Sequence, residues 1–341
     1  MKSAILISPG VLEISSKAPI PVPGPGEVVV KVKAALTCGT DIKAYLRGHP
    51  KIPLPSPLGH EFAGDVHSAG EGVEGFTPGT PVMAVHSAPC EECAFCRMGK
   101  ENLCVSVMDE KVLGAYAEYI KLPARVVQRN LFVKPEGLSY AEAAMLEPLS
   151  CVVHGMRMLD YGETKNVLIL GAGPIGLLHL MLHKRMGLKV LVAGRRDERL
   201  SMARSLGADA VFDTKLDDIA WGVTEATDGL GADLVIEATG SKELWEASPS
   251  FVRKGGTVLL FGGTPSGTKA CFDAGRLHYD EITLAGAFHF SPDDVREAYS
   301  LLTGGKLDVK LLISGEYALD SLQAAFDELI AGRGIKYVIA P

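Results

Sequence analysis

The apolar run Val167-Leu168-Ile169-Leu170 ends in Gly171-Ala172-Gly173-Pro174-Ile175-Gly176, and a helical apolar pattern follows from Pro174 to Met186. A buried strand, a glycine turn and a helix in that order form a dinucleotide fingerprint. The glycines permit a tight turn and close backbone approach, and the helix N-terminus stabilises a pyrophosphate. Further apolar strands are expected at Val190–Ala193, Ala210–Phe212, Leu234–Ile236, Thr257–Leu260 and Ile282–Leu284, with helical segments between most of them. Continuous apolar strands separated by helices mark a doubly wound parallel α/β sheet covered on both faces.

Upstream the rhythm differs. Short β-branched runs such as Glu27–Val32 and Gly79–Val85 alternate with turn-rich stretches such as residues 21–26, which indicates an all-β barrel-like domain over residues 1 to about 148. The C-terminal segment carries amphipathic helices at Ser291–Leu302 and Asp320–Ala331. It ends in a strand at Lys336–Ile339 whose pattern alone assigns it to neither sheet.

At 341 residues the chain is long enough for two hydrophobic cores, and its 47% hydrophobic content excludes disorder. A net charge of −7 leaves no basic surplus for nucleic acid or an anionic membrane. Asn166–His183 is nearly uncharged, but its glycines and Pro174 suit a strand and helix better than a membrane span. The start of the chain has no long apolar region or small-residue cleavage site, so a cytoplasmic location is expected.

Four of the seven cysteines form Cys90-x2-Cys93-x2-Cys96-x7-Cys104. In a reducing compartment that crowding favours a metal over disulfides, and four thiolates match closed tetrahedral zinc coordination. The competitor is an iron–sulfur cluster, whose bacterial signature has a shorter last gap and a proline where Val105 stands. With all four positions filled by protein, such an ion fixes a loop and does no chemistry.

A second constellation comprises Cys38-Gly39-Thr40-Asp41, Gly59-His60-Glu61 and Leu146-Glu147-Pro148. One thiolate, one imidazole and one or two carboxylates leave room for water or substrate on a catalytic zinc. Taken alone, Cys38 is equally an ordinary buried thiol and His60-Glu61 a surface pair. His179 and His183, four apart on the helix after the glycine loop, read as packed side chains and not as ligands. Cys151 and Cys271 read as small core residues.

The second strand of the α/β half ends in Ala193-Gly194-Arg195-Arg196-Asp197. No carboxylate sits at its tip to take a ribose 2′-hydroxyl, Gly194 leaves space, and Arg195 and Arg196 suit a 2′-phosphate. NADP is therefore favoured over NAD. The alternative is that both arginines are the solvated start of a helix and Asp197 meets the ribose.

Together these features resemble the medium-chain, zinc-dependent alcohol dehydrogenases over essentially the whole chain. Gly59-His60-Glu61-x2-Gly64-x5-Gly70-x2-Val73 matches that family's zinc signature at every fixed position, and Leu146–Ser150 looks most like the polyol (sorbitol-type) and threonine dehydrogenase branch. The resemblance implies a GroES-like β-barrel catalytic domain of residues 1–148 and 290–341, with a structural zinc lobe at about 88–106, and a Rossmann domain of residues 149–289. It implies Cys38, His60 and Glu61 as catalytic-zinc ligands, and Glu147 as a fourth ligand or nearby carboxylate, with both glutamates exchanging with water. Thr40 would hold the substrate hydroxyl and pass its proton outward. Many relatives carry a histidine where Lys43 stands, so the relay runs through Lys43, a cofactor ribose hydroxyl or water. Backbone around Phe261-Gly262-Gly263 and Ala287-Phe288 is where relatives hold the nicotinamide carboxamide.

The resulting expectation is reversible oxidation of a secondary alcohol of a polyol or related metabolite to a ketone, by hydride transfer to NADP. It includes one catalytic and one structural zinc, a homodimer or homotetramer, and a polar pocket drawn from Thr40, Tyr45, His49, Glu147 and His289. Three alternatives stand beside it. One is an amino-alcohol or simple secondary-alcohol dehydrogenase using NAD, and another a zinc-free quinone or enone reductase, which needs neither Cys38 nor the thiolate lobe. The third is a sensor that binds NADP and zinc without turnover.

Overall fold

The strand Val28–Leu36 is the spine of the first of two units into which the chain divides: residues 1–153 with 289–341, and residues 154–288. A computed structural model describes all 341 residues. That strand pairs antiparallel with Phe62–Ala69 and Tyr119–Leu122, and the sheet continues through Pro81–Ala84 to Leu131–Val133. Its inward side chains Val28, Val30 and Val32 pack with Phe62, Val82, Leu122, Phe326 and Ile339 in one core. The C-terminal strand, Lys336–Ala340, joins this sheet, antiparallel to Val28–Leu36 and parallel to Ile313–Ala318. That pairing carries Lys336, whose position no pattern assigned, into the buried interior.

Residues 1–148 are not all-β as expected. Helices at Gly39–Arg47, Ala124–Asn130 and Tyr140–Ala143 interrupt the strands. The signals for two of them are short: Ser139 and Glu142 form a capping box, and Gly48, at φ 76°, ends the first helix. A nine-residue helix with a cysteine at its N-cap gives little periodicity to read.

In the second unit six parallel strands run in the order Ala210–Asp213, Lys189–Gly194, Asn166–Leu170, Ala232–Glu237, Val252–Leu260, Thr283–Gly286. By position in the chain this is 3-2-1-4-5-6, the doubly wound dinucleotide-binding topology. The strand expected at Thr257–Leu260 begins earlier, at Val252, because Arg253, Lys254 and two glycines mask its start. Its Arg253 guanidinium pairs with Asp233 on the neighbouring strand. The helix Pro174–Arg185 buries both His179 and His183. Cys271 corrects the reading as a core residue: it is exposed in the loop after Val252–Leu260, its N–H donating to Glu246 Oε1 at 2.9 Å. Residue type suggested burial, but the loop around it is polar. No helix is long and apolar enough to cross a membrane.

Candidate active site

Cys38 is the N-cap of the helix Gly39–Arg47, its Sγ accepting from the Thr40 N–H at 3.5 Å. That N-cap position fixes the sulfur at the start of the helix, facing the loop that carries His60. Gly59 precedes His60-Glu61 at φ 87°, and a Cβ on it would lie 2.9 Å from the Tyr116 backbone nitrogen. Only glycine lets the loop pass so close and still present His60. One ligand atom each from Cys38, His60 and Glu61 lies within 4.8 Å of the others.

Behind this group sits Asp41, wholly buried. Its Oδ1 lies 3.3 Å from His60 Nδ1 and accepts the Gly59 N–H at 3.3 Å, while Oδ2 accepts the Tyr116 hydroxyl at 2.8 Å. Burial pushes the Asp41 carboxyl up, but His60, Tyr116 and Gly59 outweigh it and hold the group below the usual aspartate value. A carboxylate on Nδ1 fixes the imidazole so that Nε2 is left for a metal. One Glu61 oxygen meets the buried Lys336 ammonium, which also donates to the Thr37 carbonyl at 3.0 Å. The other, Oε1, is buried with no hydrogen-bond partner. An orphaned carboxylate oxygen beside a thiol and an imidazole fits a divalent ion.

Glu147, on the helix Leu146–Arg157, stands apart from that trio. Its Oε1 is 3.5 Å from His86 Nδ1 and accepts from the Cys151 thiol at 3.7 Å. Cys151 is thus a neighbour of the site and not the core residue expected. Burial raises the Glu147 carboxyl to about 7, with His60 pulling the other way. Burial, then His60, His289 and Lys111, keep His86 far below the usual histidine range. The His86 ring lies edge-on to His60 at 5.2 Å and to His289 at 5.3 Å, and His289 Nε2 is 2.6 Å from Ser87 Oγ. Thr40 and Lys43 are half-buried on the helix that Cys38 opens. Tyr45 corrects the expected pocket: its ring packs on Phe326 at 5.6 Å and its hydroxyl donates to Gly10 O at 3.2 Å. Asp41, Tyr116, His86, Ser87 and Lys336 received no role from the sequence. Of these only Asp41 carried a signal, directly after Thr40 on the turn that begins with Cys38.

The second group is Cys90, Cys93, Cys96 and Cys104, whose sulfurs also lie within 4.8 Å and form no disulfide. Cys93 is lowered to about 6 by N–H groups of Cys96 and Val105. Burial pushes the Cys104 thiol up, but hydrogen bonds from the Cys90 and Ser106 backbone bring it below the usual value. Burial and then the neighbouring Cys93 and Cys104 thiols push Cys96 the other way, so it is the convergence of four sulfurs, with backbone donors on two of them, that fits a zinc site closed by four cysteines.

In the second unit the expected nucleotide residues gather at the C-terminal ends of parallel strands, where such folds bind ligands. Gly171, at φ 114°, donates to Ala193 O at 2.7 Å, and a Cβ on Gly176 would lie 1.8 Å from Gly171 O. Gly173 caps the helix that Pro174, Ile175 and Gly176 open. Gly194 ends its strand, and Arg195 and Arg196 are exposed just ahead of the helix Asp197–Ser205. Gly262 N–H donates to Glu237 O at 2.8 Å, and Trp245 Nε1 donates to Gly262 O at 3.0 Å. Phe288 follows the strand Thr283–Gly286 and is half-exposed.

Residues 24–131 match the alcohol dehydrogenase GroES-like domain family, and residues 174–304 match the zinc-binding dehydrogenase family. The sorbitol dehydrogenase of Halalkalibacterium halodurans is 34% identical over 95% of this chain and 94% of its own. The D-arabitol-phosphate dehydrogenase of Enterococcus avium is 33% identical over 94% of this chain and 91% of its own. A candidate zinc-binding dehydrogenase from Sinorhizobium meliloti 1021, solved bound to NADP, has a TM-score of 0.90 at 30% identity, covering 100% of this chain and 99% of that one. The chain belongs to the medium-chain, zinc-dependent alcohol dehydrogenase family, near its polyol branch, and is an NAD(P)-dependent dehydrogenase of that class.

Proposed function

We propose that the protein reversibly oxidises a secondary alcohol of a polyol or sugar alcohol to the ketone with NADP, using one zinc at Cys38, His60 and Glu61 and a second in the four-cysteine lobe. The observation that carries this reading is the first trio: three buried or half-buried donors within 4.8 Å, braced by Asp41, with Glu61 Oε1 lacking a partner. The names of the Halalkalibacterium and Enterococcus relatives support a polyol. The absence of a carboxylate ahead of Arg195 and Arg196, and the NADP in the Sinorhizobium structure, support the phosphorylated cofactor.

When bound, zinc supplies Lewis acidity that lowers the pKa of the alcohol hydroxyl, and the nicotinamide ring takes up the hydride. Asp41 holds the His60 ring in place, Lys336 restrains Glu61, and Glu147 would be a fourth ligand or a nearby carboxylate. Thr40 Oγ1 accepts a hydrogen bond from the substrate hydroxyl and passes its proton outward to water, and Lys43, further along the same helix, is assigned to the positive charge at that outlet. Gly171 to Gly176 are assigned to the pyrophosphate, Gly194 to Arg196 to the 2′-phosphate, and Gly262 with Phe288 to the carboxamide. A homodimer or homotetramer completes the reading, and seven cysteines of which none is paired support a reducing compartment such as the cytoplasm.

Metal analysis tests it. Two zinc ions per chain are expected in the wild type and one in Cys38→Ser, which keeps its circular dichroism and loses turnover; a single zinc in the wild type, or turnover in Cys38→Ser, refutes the reading. Replacing Arg195 and Arg196 together by alanine is expected to weaken NADPH roughly tenfold more than NADH, through lost charge-assisted bonds. Equal weakening of both cofactors removes the NADP assignment.

A further inference from the structure

Two segments of the first unit, Lys43 to Lys51 and Met108 to Val112, meet beside the metal centre. The Val112 N–H donates to the His86 carbonyl at 2.6 Å, and Lys111 Nζ donates to Lys51 O at 2.6 Å and Met108 O at 2.9 Å. The His49 ring lies within electrostatic reach of Lys111, Lys43, Arg47 and His60, and Lys111 also acts on His86. Five basic side chains, Lys43, Arg47, His49, Lys51 and Lys111, therefore share one patch adjoining the residues that would hold the catalytic ion. Burial and then Lys111, Lys43, Arg47 and His60 push His49 below its usual value, and burial and then Lys51 do the same to Lys111. The facing carboxylates give little relief. Asp109 is exposed and 3.5 Å from Lys51 Nζ, and Asp41 is already committed to His60 and Tyr116.

A chain of net charge −7 that gathers like charges next to its reacting centre carries a repulsion that an anionic ligand relieves. We propose that this patch is the subsite for a phosphate monoester, so that the alcohol oxidised is a phosphorylated polyol. The proposal rests on the dehydrogenase reading above and narrows it to a substrate class. Lys111 spends two of its three N–H bonds on carbonyls and has one for a ligand. A phosphate dianion presents three acceptor oxygens to that ammonium, the Lys43 ammonium and the Arg47 guanidinium. A carboxylate brings less charge, and an unphosphorylated polyol brings none. The redox step is unaltered: hydride leaves the carbinol carbon for nicotinamide, the hydroxyl proton leaves to solvent, and the ester bond stays intact.

The test is steady-state kinetics of the zinc-loaded enzyme with pentitols and hexitols, their phosphate monoesters and the matching aldonates. Phosphate esters are expected to exceed the parent polyols roughly 100-fold in kcat/KM, mainly through KM, from about two added charge-assisted hydrogen bonds. Arg47→Ala and Lys111→Ala are each expected to cut the ester-to-polyol ratio of kcat/KM about tenfold, and inorganic phosphate to compete with the ester. A plain polyol or aldonate that performs as well as the ester, or a ratio unmoved in both variants, overturns the phosphate subsite and leaves the dehydrogenase standing. Failure to oxidise any of these alcohols with either cofactor removes both.

Discussion

A buried aspartate keeps its charge only if donors converge on it, and Asp41 has the His60 imidazole, the Tyr116 hydroxyl and the Gly59 N–H. Asp41→Asn retains the shape and removes the charge that orients His60. Zinc affinity of the catalytic centre, measured by chelator competition, is expected to fall about 10–100-fold. Lys336 invites a different test, because its loss leaves the Glu61 carboxylate buried without its cation. Lys336→Met is expected to cost about 3–5 kcal/mol in urea unfolding, and adding Glu61→Gln to recover most of it. A cost below about 1 kcal/mol would mean water reaches the pair. Cys38, His60 and Glu61 were legible because residue type and local spacing carry ligand chemistry. Lys336 was not, because it reaches Glu61 from 275 residues away through a strand pairing that no local pattern encodes.

At the scale of an element, the helix Pro174–Arg185 does more than open the nucleotide site, since it buries two imidazoles. Burial lowers His183 to about 4 and His179 in the same direction, against about 6.5 in an unfolded chain. Between those values the unfolded chain takes up protons that the folded one refuses. Stability therefore falls as pH drops from about 6.5 and levels off, for His183, below about 4. His183 alone accounts for about 3 kcal/mol across that window. Urea midpoints at pH 7, 6 and 5 should decline, and less steeply in His183→Gln; parallel slopes would contradict a neutral buried ring. The strands around this helix were legible because they are continuous apolar runs buried on both faces. The start of Val252–Leu260 and the helix Gly39–Arg47 were hidden, the first by charges and glycines, the second by its brevity.

Across the whole molecule the two metal groups make different demands on folding. The Cys38 trio is anchored by a sheet and a helix that have their own apolar core, whereas the lobe from Cys90 to Cys104 holds only the short helices Ala94–Arg97 and Glu101–Leu103. Pieces of one turn are not stable alone, and Phe95, Met98 and Leu103 are exposed, so the lobe lacks a hydrophobic core. A metal bound by all four thiolates would supply the missing core, and its binding free energy would then be folding free energy of the lobe. Cys93→Ser is accordingly expected to lose one of two zincs and to become sensitive to limited proteolysis between residues 88 and 106. Cys38→Ser should lose the other zinc and stay resistant there, since its helix and sheet persist without the ion. Mass spectrometry of the fragments separates the cases: equal resistance of both variants would mean the lobe is held by its own packing, and cleavage of both would mean the catalytic ion also holds the fold.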